Sequence, residues 1–344
     1  MSRKTKLDEI AKAACVSLST VDRVLNRRGG VTPEKEAKVL EWANKLNLDR
    51  IMFRDYVRGL RVAVIMQSPK NPFYRGLHDA FTSTNTALAA LKITCFVHHT
   101  DIADIPATLA QVRKCGRSYD ALIVICQDDP RLSDEFRLLS SKLPIITLVT
   151  DLPDSGRLAY VGPDNRQMGR VAGELMGRFL GREGGDVLVV LGLHRITGHE
   201  EREMGFRSVL REYFPACIIT AAVESGERQE CAGEVVSATL RKTPNIRGIY
   251  NISAGNMAIA EVIRSMGVMH KITLITHELT SGRRAMLREG ILDVVIDQNP
   301  QLEVQRALER LARHFGRSSV QSDAERYTPF NIFIRENCPI VDSR

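Results

Sequence analysis

From Leu60 onward the chain alternates between short, continuously apolar runs and longer amphipathic stretches, and this alternation constrains the fold more than any other feature. The runs are Val62–Met66, Ile93–Val97, Ala121–Cys126, Ile145–Val149, Val187–Leu191, Cys217–Ala221, Gly248–Ile252, Ile272–Thr276 and Leu292–Ile296. Each has strand length and lacks the polar alternation of a half-exposed strand, so it reads as a strand buried on both faces. The stretches Tyr74–Leu91, Gln167–Leu180 and Arg202–Tyr213 carry apolar residues at helical spacing. Strands separated by helices make parallel sheets covered on both sides, an α/β class. So many strands exceed one comfortable sheet. Two similar lobes are expected, one about 60–163 and one about 164–293. Part of 294–329 should cross back to complete the first lobe, and a C-terminal strand near Phe330–Arg335 the second.

Ahead of Leu60 the pattern changes. Val21, Val24 and Leu25 share one helical face, while Leu18, Ser19, Asp22, Arg23 and Asn26 point elsewhere; Ser17 stands where an N-cap belongs. Upstream, Leu7, Ile10, Ala11 and Ala14 line another helix, with Thr5 and Asp8 at the spacing of a helix-start signal. The Ala14-Cys15-Val16 link has room only for a tight turn. A third helix follows, with Thr32 as cap, Pro33 in first position and Val39, Leu40, Ala43 and Leu46 inward. Trp42, the single tryptophan, is expected in this small core. Two short helices joined by a tight turn form the helix-turn-helix, whose second helix enters the DNA major groove.

The positions Val16, Ser17, Thr20, Val21, Arg23, Val24, Leu25 and Asn26 resemble the recognition helix of LacI-type transcriptional regulators, with Asp22 where that family usually has serine. The resemblance runs along nearly the whole chain. It implies a headpiece over 1–48, a linker or hinge over 49–59, and a two-lobed effector-binding and dimerisation domain over 60–344. That domain would share the architecture of periplasmic sugar-binding proteins. In such regulators the hinge forms a helix on DNA and wedges a leucine into the minor groove. Val57 takes that place here, and Arg50 stands where a proline is usual.

Charge is uneven in a way that suits this division. Residues 1–61 hold 14 Lys+Arg against 8 Asp+Glu, a net +6 of the chain's +7. A basic headpiece on a near-neutral body is the electrostatic footprint of a nucleic-acid binder. The seven cysteines are scattered singly, which reads as free thiols in a reducing compartment. Neither a signal peptide nor a membrane-length apolar run is visible, so a cytoplasmic protein is expected.

In parallel α/β sheets ligands bind beyond the carboxyl ends of strands, so the residues following each run are informative. Asn71-Pro72-Phe73-Tyr74 is similar to the family's aromatic element, which implies Asn71 as a hydroxyl partner and Phe73 and Tyr74 as rings against a sugar face. An Asn-Pro turn with Phe73 as a helix-start staple stays open. Asp128 falls at the place of a ligand carboxylate. Arg202 with Gly205-Phe206 resembles the element whose arginine donates to ligand oxygens, with a surface knot of Arg202 and its flanking glutamates as the alternative. Ala254 and Gly255 replace the usual Asn and Asp, leaving Asn256 as substitute. Glu278 stands where Asp is commoner, and Gln298 belongs to an element resembling Gln-x-Pro. The pairs His98-His99 and His199-Glu200 are expected at the surface or in loops.

No catalytic residues, cofactor or metal site are expected: phosphate-loop, dinucleotide and zinc spacings are absent. The reading is a ligand-responsive, sequence-specific DNA-binding regulator, a repressor of carbohydrate or polyol uptake or catabolism genes. Leu18, Ser19 and Arg23 are the candidates for base contact; Ser17, Thr20, Asn26, Arg27 and Arg28 for phosphates. A homodimer on a pseudo-palindromic double-stranded operator would place two recognition helices in successive major grooves, with a tetramer left open. The effector should be a sugar or polyol. The alternatives are an α/β enzyme acting on a small sugar with a basic appendage, and a solute-binding protein.

Overall fold

The computed structural model describes residues 3–25, 29–46, 58–88, 91–317 and 326–339. Asn26, Arg27, Arg28, Arg50 and Val57, expected at the DNA, lie outside the described residues.

The first three helices are α1 (Arg3–Ala13), α2 (Leu18–Leu25) and α3 (Pro33–Lys45). They share a core of Ile10, Ala11, Ala14, Val21, Val24, Leu25, Val39 and Ala43. Trp42 packs against this core half-buried, and the Lys45 ammonium sits 4.7 Å over its ring. Helix α1 starts at Arg3, two residues ahead of Thr5, so the Thr5–Asp8 spacing lies inside the helix and is not its start. Cys15 makes the turn between α1 and α2 with φ 53, a left-handed conformation that closes the link in few residues.

The body begins with β1 (Leu60–Met66), α4 (Pro72–Leu88), β2 (Ile93–His99), α5 (Ile105–Gly116), β3 (Ala121–Val124), α6 (Pro130–Ser140), β4 (Ile145–Leu148) and β5 (Ala159–Val161). These five strands form one parallel sheet in the order β2-β1-β3-β4-β5. Then come α7 (Asn165–Leu180), β6 (Gly185–Leu191), α8 (Thr197–Tyr213), β7 (Cys217–Glu224), α9 (Gln229–Lys242) and β8 (Ile246–Asn251). They are followed by α10 (Asn256–Ser265), β9 (Thr273–His277), α11 (Ser281–Arg288), β10 (Val294–Asp297), α12 (Pro300–His314) and β11 (Asn331–Phe333). The second sheet has the order β11-β10-β9-β8-β6-β7, parallel except for β11, which runs antiparallel to β10 with Ile296 opposite Ile332.

Burial explains why the strand sequences are so uniformly apolar. Both faces of each sheet are covered, so Val62 and Val64 enter one core while Ala63 and Ile65 enter another. The second lobe repeats this with Leu188 and Val190 on one face and Val187 and Val189 on the other. Val304, Ala307, Leu308 and Leu311 of α12 pack with Val62, Leu77 and Phe81, so α12 belongs to the first lobe. The chain therefore crosses between lobes after β5, after β10 and on the way to β11. The second crossing follows Asp297, since β10 pairs with β9; it does not fall at residue 293, where the sequence pattern placed it.

Candidate functional site

The carboxyl ends of both sheets face a recess of about 520 Å³ between the lobes. The wall from the first lobe is largely apolar. Asn71 Oδ1 accepts from the Phe73 amide at 3.0 Å, the turn that starts α4 at Pro72. This turn delivers Phe73 and Tyr74 into the recess, their rings edge-to-face at 5.3 Å. The two readings of this segment are thus compatible: the Asn-Pro turn is what aims the aromatic wall. Ile102, Ile125 and Val149 extend it, and Thr150 Oγ1 accepts from the Gly198 amide of the other lobe at 3.2 Å.

The wall from the second lobe is polar and highly ordered. Arg202 is only 3% exposed. Its Nε donates to Asn165 Oδ1 at 2.8 Å, its Nη2 to Gln298 Oε1 at 3.1 Å, and its Nη1 lies 3.5 Å from Glu278 Oε1. Arg283 binds the same residue from the other side, its Nη1 donating to the Glu278 carbonyl at 3.0 Å and to Oε2 at 3.1 Å. With its amide turned to match donors with acceptors, Asn256 accepts from Arg283 Nε and Nη2, each at 2.9 Å. Burial lowers the pKa of Arg283, opposed by the charge of Glu278. Glu278 thus sits as one carboxylate between two buried guanidiniums, a net charge of +1 held by hydrogen bonds at the edge of the recess.

Two further groups complete this wall. Glu227 and His199 line the recess, with Glu227 Oε1 and His199 Nδ1 3.7 Å apart and neither hydrogen-bonded. Burial, then the charge of Glu278, pushes the Glu227 carboxyl up to about 7. Burial, then Arg202, pushes His199 down to about 3, so the imidazole is neutral. Gly192 makes room for this pair: a Cβ there would fall 1.6 Å from Glu227 Oε1. Backbone strain marks the same rim. Val149, Glu227, Glu278 and Asn299, all near the carboxyl ends of strands, have left-handed φ of 68, 60, 58 and 57. Such conformations cost free energy in non-glycine residues and persist where the surroundings over-determine them, commonly at binding sites.

The structure brings together Asn71, Phe73, Tyr74, Arg202 and Glu278 at the recess. It corrects the expectations for four residues. Asp128 is exposed and outside the lining; the neighbouring Asp129 caps α6, which turns Asp128 outward, and its amide donates to the Arg195 carbonyl at the rim. Asn256 and Gln298 are buried and outside the lining as well, holding Arg283 and Arg202 rather than meeting the recess. His199 lies within α8 and is largely buried, because the helix turns it inward beside Arg202. The His98-His99 pair ends strand β2, where His99 is exposed as expected and the partly buried His98 has its Nε2 bonded to the Tyr119 hydroxyl at 3.0 Å. Arg283, Glu227, Ser253 and Thr150 are recess residues that sequence reasoning missed. Among the described residues no group of His, Cys, Asp and Glu has metal-holding geometry.

The other candidate surface is α2. Ser17 Oγ accepts from the Thr20 amide at 3.1 Å and lies within 2.9 Å of the Ser19 and 2.8 Å of the Thr20 hydroxyl, a capped helix start. Ser17, Leu18, Ser19 and Arg23 are exposed opposite the buried Val21, Val24 and Leu25. Arg23 Nε donates to the Gly29 carbonyl at 3.2 Å, which ties this exposed side chain to the segment after the helix.

Residues 62–317 match the family described as the periplasmic binding protein domain, and residues 6–49 that of the bacterial regulatory proteins, lacI family. The ribose operon repressor of Halalkalibacterium halodurans is 26% identical over 270 residues, covering 75% of this chain and 76% of that protein. The D-ribose/D-allose-binding protein of Pseudomonas aeruginosa is 24% identical over 253 residues, 69% of this chain and 76% of that one. In fold, the crystal structure of GanP, a glucose-galactose binding protein from Geobacillus stearothermophilus, superposes with a TM-score of 0.73 at 19% identity, over 83% of this chain and 100% of that chain. The chain belongs to the periplasmic binding protein domain family and carries the lacI-family headpiece in front of it, which makes it a LacI-type DNA-binding transcriptional regulator.

Proposed function

We propose that this regulator is a repressor whose effector is a small polyhydroxylated molecule, a sugar or polyol, held between Phe73 and Tyr74 on one lobe and Arg202, Arg283, Glu278 and Glu227 on the other. The observation that carries this reading is the contrast between the two walls. A sugar ring has an apolar face that packs on aromatic rings and an equatorial fringe of hydroxyls that needs donors and acceptors in alternation. Arg202, Glu278 and Arg283 supply that alternation, pre-positioned by Asn165, Gln298 and Asn256. The names of the ribose operon repressor and the ribose/allose-binding protein support the same ligand class.

The effector works by differential binding to two lobe arrangements, which changes the geometry offered to DNA. The chain acts as a homodimer on a pseudo-palindromic operator, because one headpiece reads a half-site only. Base contacts come from Leu18, Ser19 and Arg23, and phosphate contacts from Ser17 and Thr20 with the flanking Asn26, Arg27 and Arg28. The test is a thermal-shift screen of aldoses and polyols, followed by retardation of promoter DNA with and without each stabilising compound. A compound that stabilises the protein and alters operator affinity is the expected result. Stabilisation that leaves operator affinity unchanged, or chemical turnover of the compound, sinks the reading.

A further inference from the structure

A second recess, of about 380 Å³, lies at the junction of the lobes and shares no lining residue with the effector cleft. It is lined by Arg306, Glu309, Arg310 and Arg313 of α12 and by Arg326 and Thr328 of the segment crossing to β11. Positions 306, 310 and 313 recur every three or four residues, so α12 presents them on one face. Four arginines and one glutamate give the lining a formal charge of +3. Glu309 is shared between Arg306, at 3.6 Å, and Gln305, whose amide donates to it at 2.8 Å. The Arg326 guanidinium lies 5.1 Å over the Tyr327 ring, which itself packs edge-on against Tyr160.

Independent of these charges, the Thr328 side chain points to a ligand. Thr328 is 7% exposed, it lines this recess, and its Oγ1 has no hydrogen-bond partner. Buried hydroxyls are nearly always paired, and one left unpaired beside a guanidinium cluster is a donor waiting for an acceptor. Planar guanidinium forks and a hydroxyl donor match the tetrahedral oxygens of a phosphate group, which accepts bidentate bonds and carries close to two negative charges.

We propose that this recess is a second small-molecule site, one that takes the phosphate group of inorganic phosphate or of a phosphate ester. The site bridges α12 of the first lobe and the segment leading to β11 of the second, so its occupant would bear on the lobe junction without touching the cleft.

The test uses the full chain and follows thermal unfolding and calorimetry at fixed ionic strength. Inorganic phosphate, ribose 5-phosphate and sodium chloride are the probes, with ribose as the control for the sugar moiety. The expected result is saturable stabilisation by a phosphate-bearing probe beyond that of chloride. Binding by both phosphate probes marks the phosphate group as sufficient; binding by the ester alone assigns the site to phosphate esters. Arg306→Gln with Arg326→Gln should weaken this binding at least tenfold. Thr328→Val, which removes the unpaired hydroxyl at nearly constant volume, should raise the melting temperature without anion and weaken anion binding as well. Arg23→Ala, in the headpiece, should leave it intact. Phosphate responses equal to those of chloride overturn the proposal. So does unchanged affinity in the double arginine variant or in Thr328→Val, or a loss of binding in Arg23→Ala.

Discussion

Glu227 Oε1 and His199 Nδ1 face each other at 3.7 Å in the cleft, and neither atom is hydrogen-bonded. Their titration has opposite signs. The Glu227 carboxyl is raised from 4.5 to about 7, so its stabilising effect is present below the unfolded value and lost as pH rises through 7. His199 is lowered from 6.5 to about 3, so its effect is present above the unfolded value and lost as pH falls. Glu227→Gln should therefore gain stability on the wild type from about pH 5 to about pH 8, by up to about 3 kcal/mol. His199→Gln should gain on the wild type as pH falls below about 6.5. Glu303, wholly buried with both carboxyl oxygens unpartnered, is shifted upward too, so the difference from wild type is the quantity to measure. Parallel pH curves for Glu227→Gln and the wild type would show that Glu227 is not a neutral acid in the folded cleft.

Arg202 reaches the cleft because α7 and α8 touch backbone to backbone. A Cβ at Gly169 would lie 1.9 Å from the Arg202 carbonyl oxygen, and one at Gly205 would lie 2.1 Å from that of Arg166. The spacing of Arg202 and Gly205 on α8 therefore has a mechanical reason, with one residue aimed at the ligand and the other, a turn on, against α7. Gly169→Ala should push α8 outward, costing about 1–3 kcal/mol in unfolding free energy. It should also weaken the effector although it touches no ligand atom. A variant that is destabilised yet binds effector normally would separate this contact from the site.

Much of this arrangement was legible in the sequence, for identifiable reasons. Strands buried on both faces are continuous apolar runs, so β1, β3, β4 and β6 announce themselves. The three-residue β5, Ala159–Val161, contains Tyr160 and makes no such run, and its place at the sheet edge comes only from pairing with β4. Glu227 escaped for a similar reason. Strand β7 lies at an edge, alternates in burial and continues to Glu224, three residues beyond its apolar run, so the turn that follows was not read as a strand end. Arg283 carries no local signal, since α11 faces the site only once β9 and β10 are paired. Asn256 and Gln298 were found by position, but their part is to orient arginines, which requires the three-dimensional neighbours to see.

The division of labour between headpiece and body can be tested by removing the first. Residues 60–344 contain both sheets and all the cleft residues. This fragment should sediment as a dimer and bind effector with the affinity of the full chain, while failing to retard operator. A monomeric fragment, or one that still retards operator, would contradict the proposed assignment of dimerisation to the body and DNA affinity to the basic headpiece.

The last prediction sets Arg23 against Arg202, since each anchors a different folded unit. Arg23 is exposed on α2, with its Nε on the Gly29 carbonyl. Arg23→Ala should lose a base contact worth about 1–3 kcal/mol of operator affinity. Effector binding by calorimetry should not change, because no cleft residue comes from the headpiece. Arg202→Ala removes the donor to Asn165 and Gln298 and leaves Glu278 with the Arg283 guanidinium and the Gln298 amide. Leaving buried polar partners unsatisfied costs about 1–3 kcal/mol, which should appear both in unfolding and in effector affinity. Operator binding in the absence of effector should survive, and the response to effector should be lost or need far more of it. Arg202→Lys keeps the charge but not the fork that joins Asn165, Glu278 and Gln298, so it should resemble Arg202→Ala in effector response. Were Arg202→Ala to abolish operator binding while remaining folded, or Arg23→Ala to abolish effector binding, the two sites could not be separate units joined through the lobe geometry.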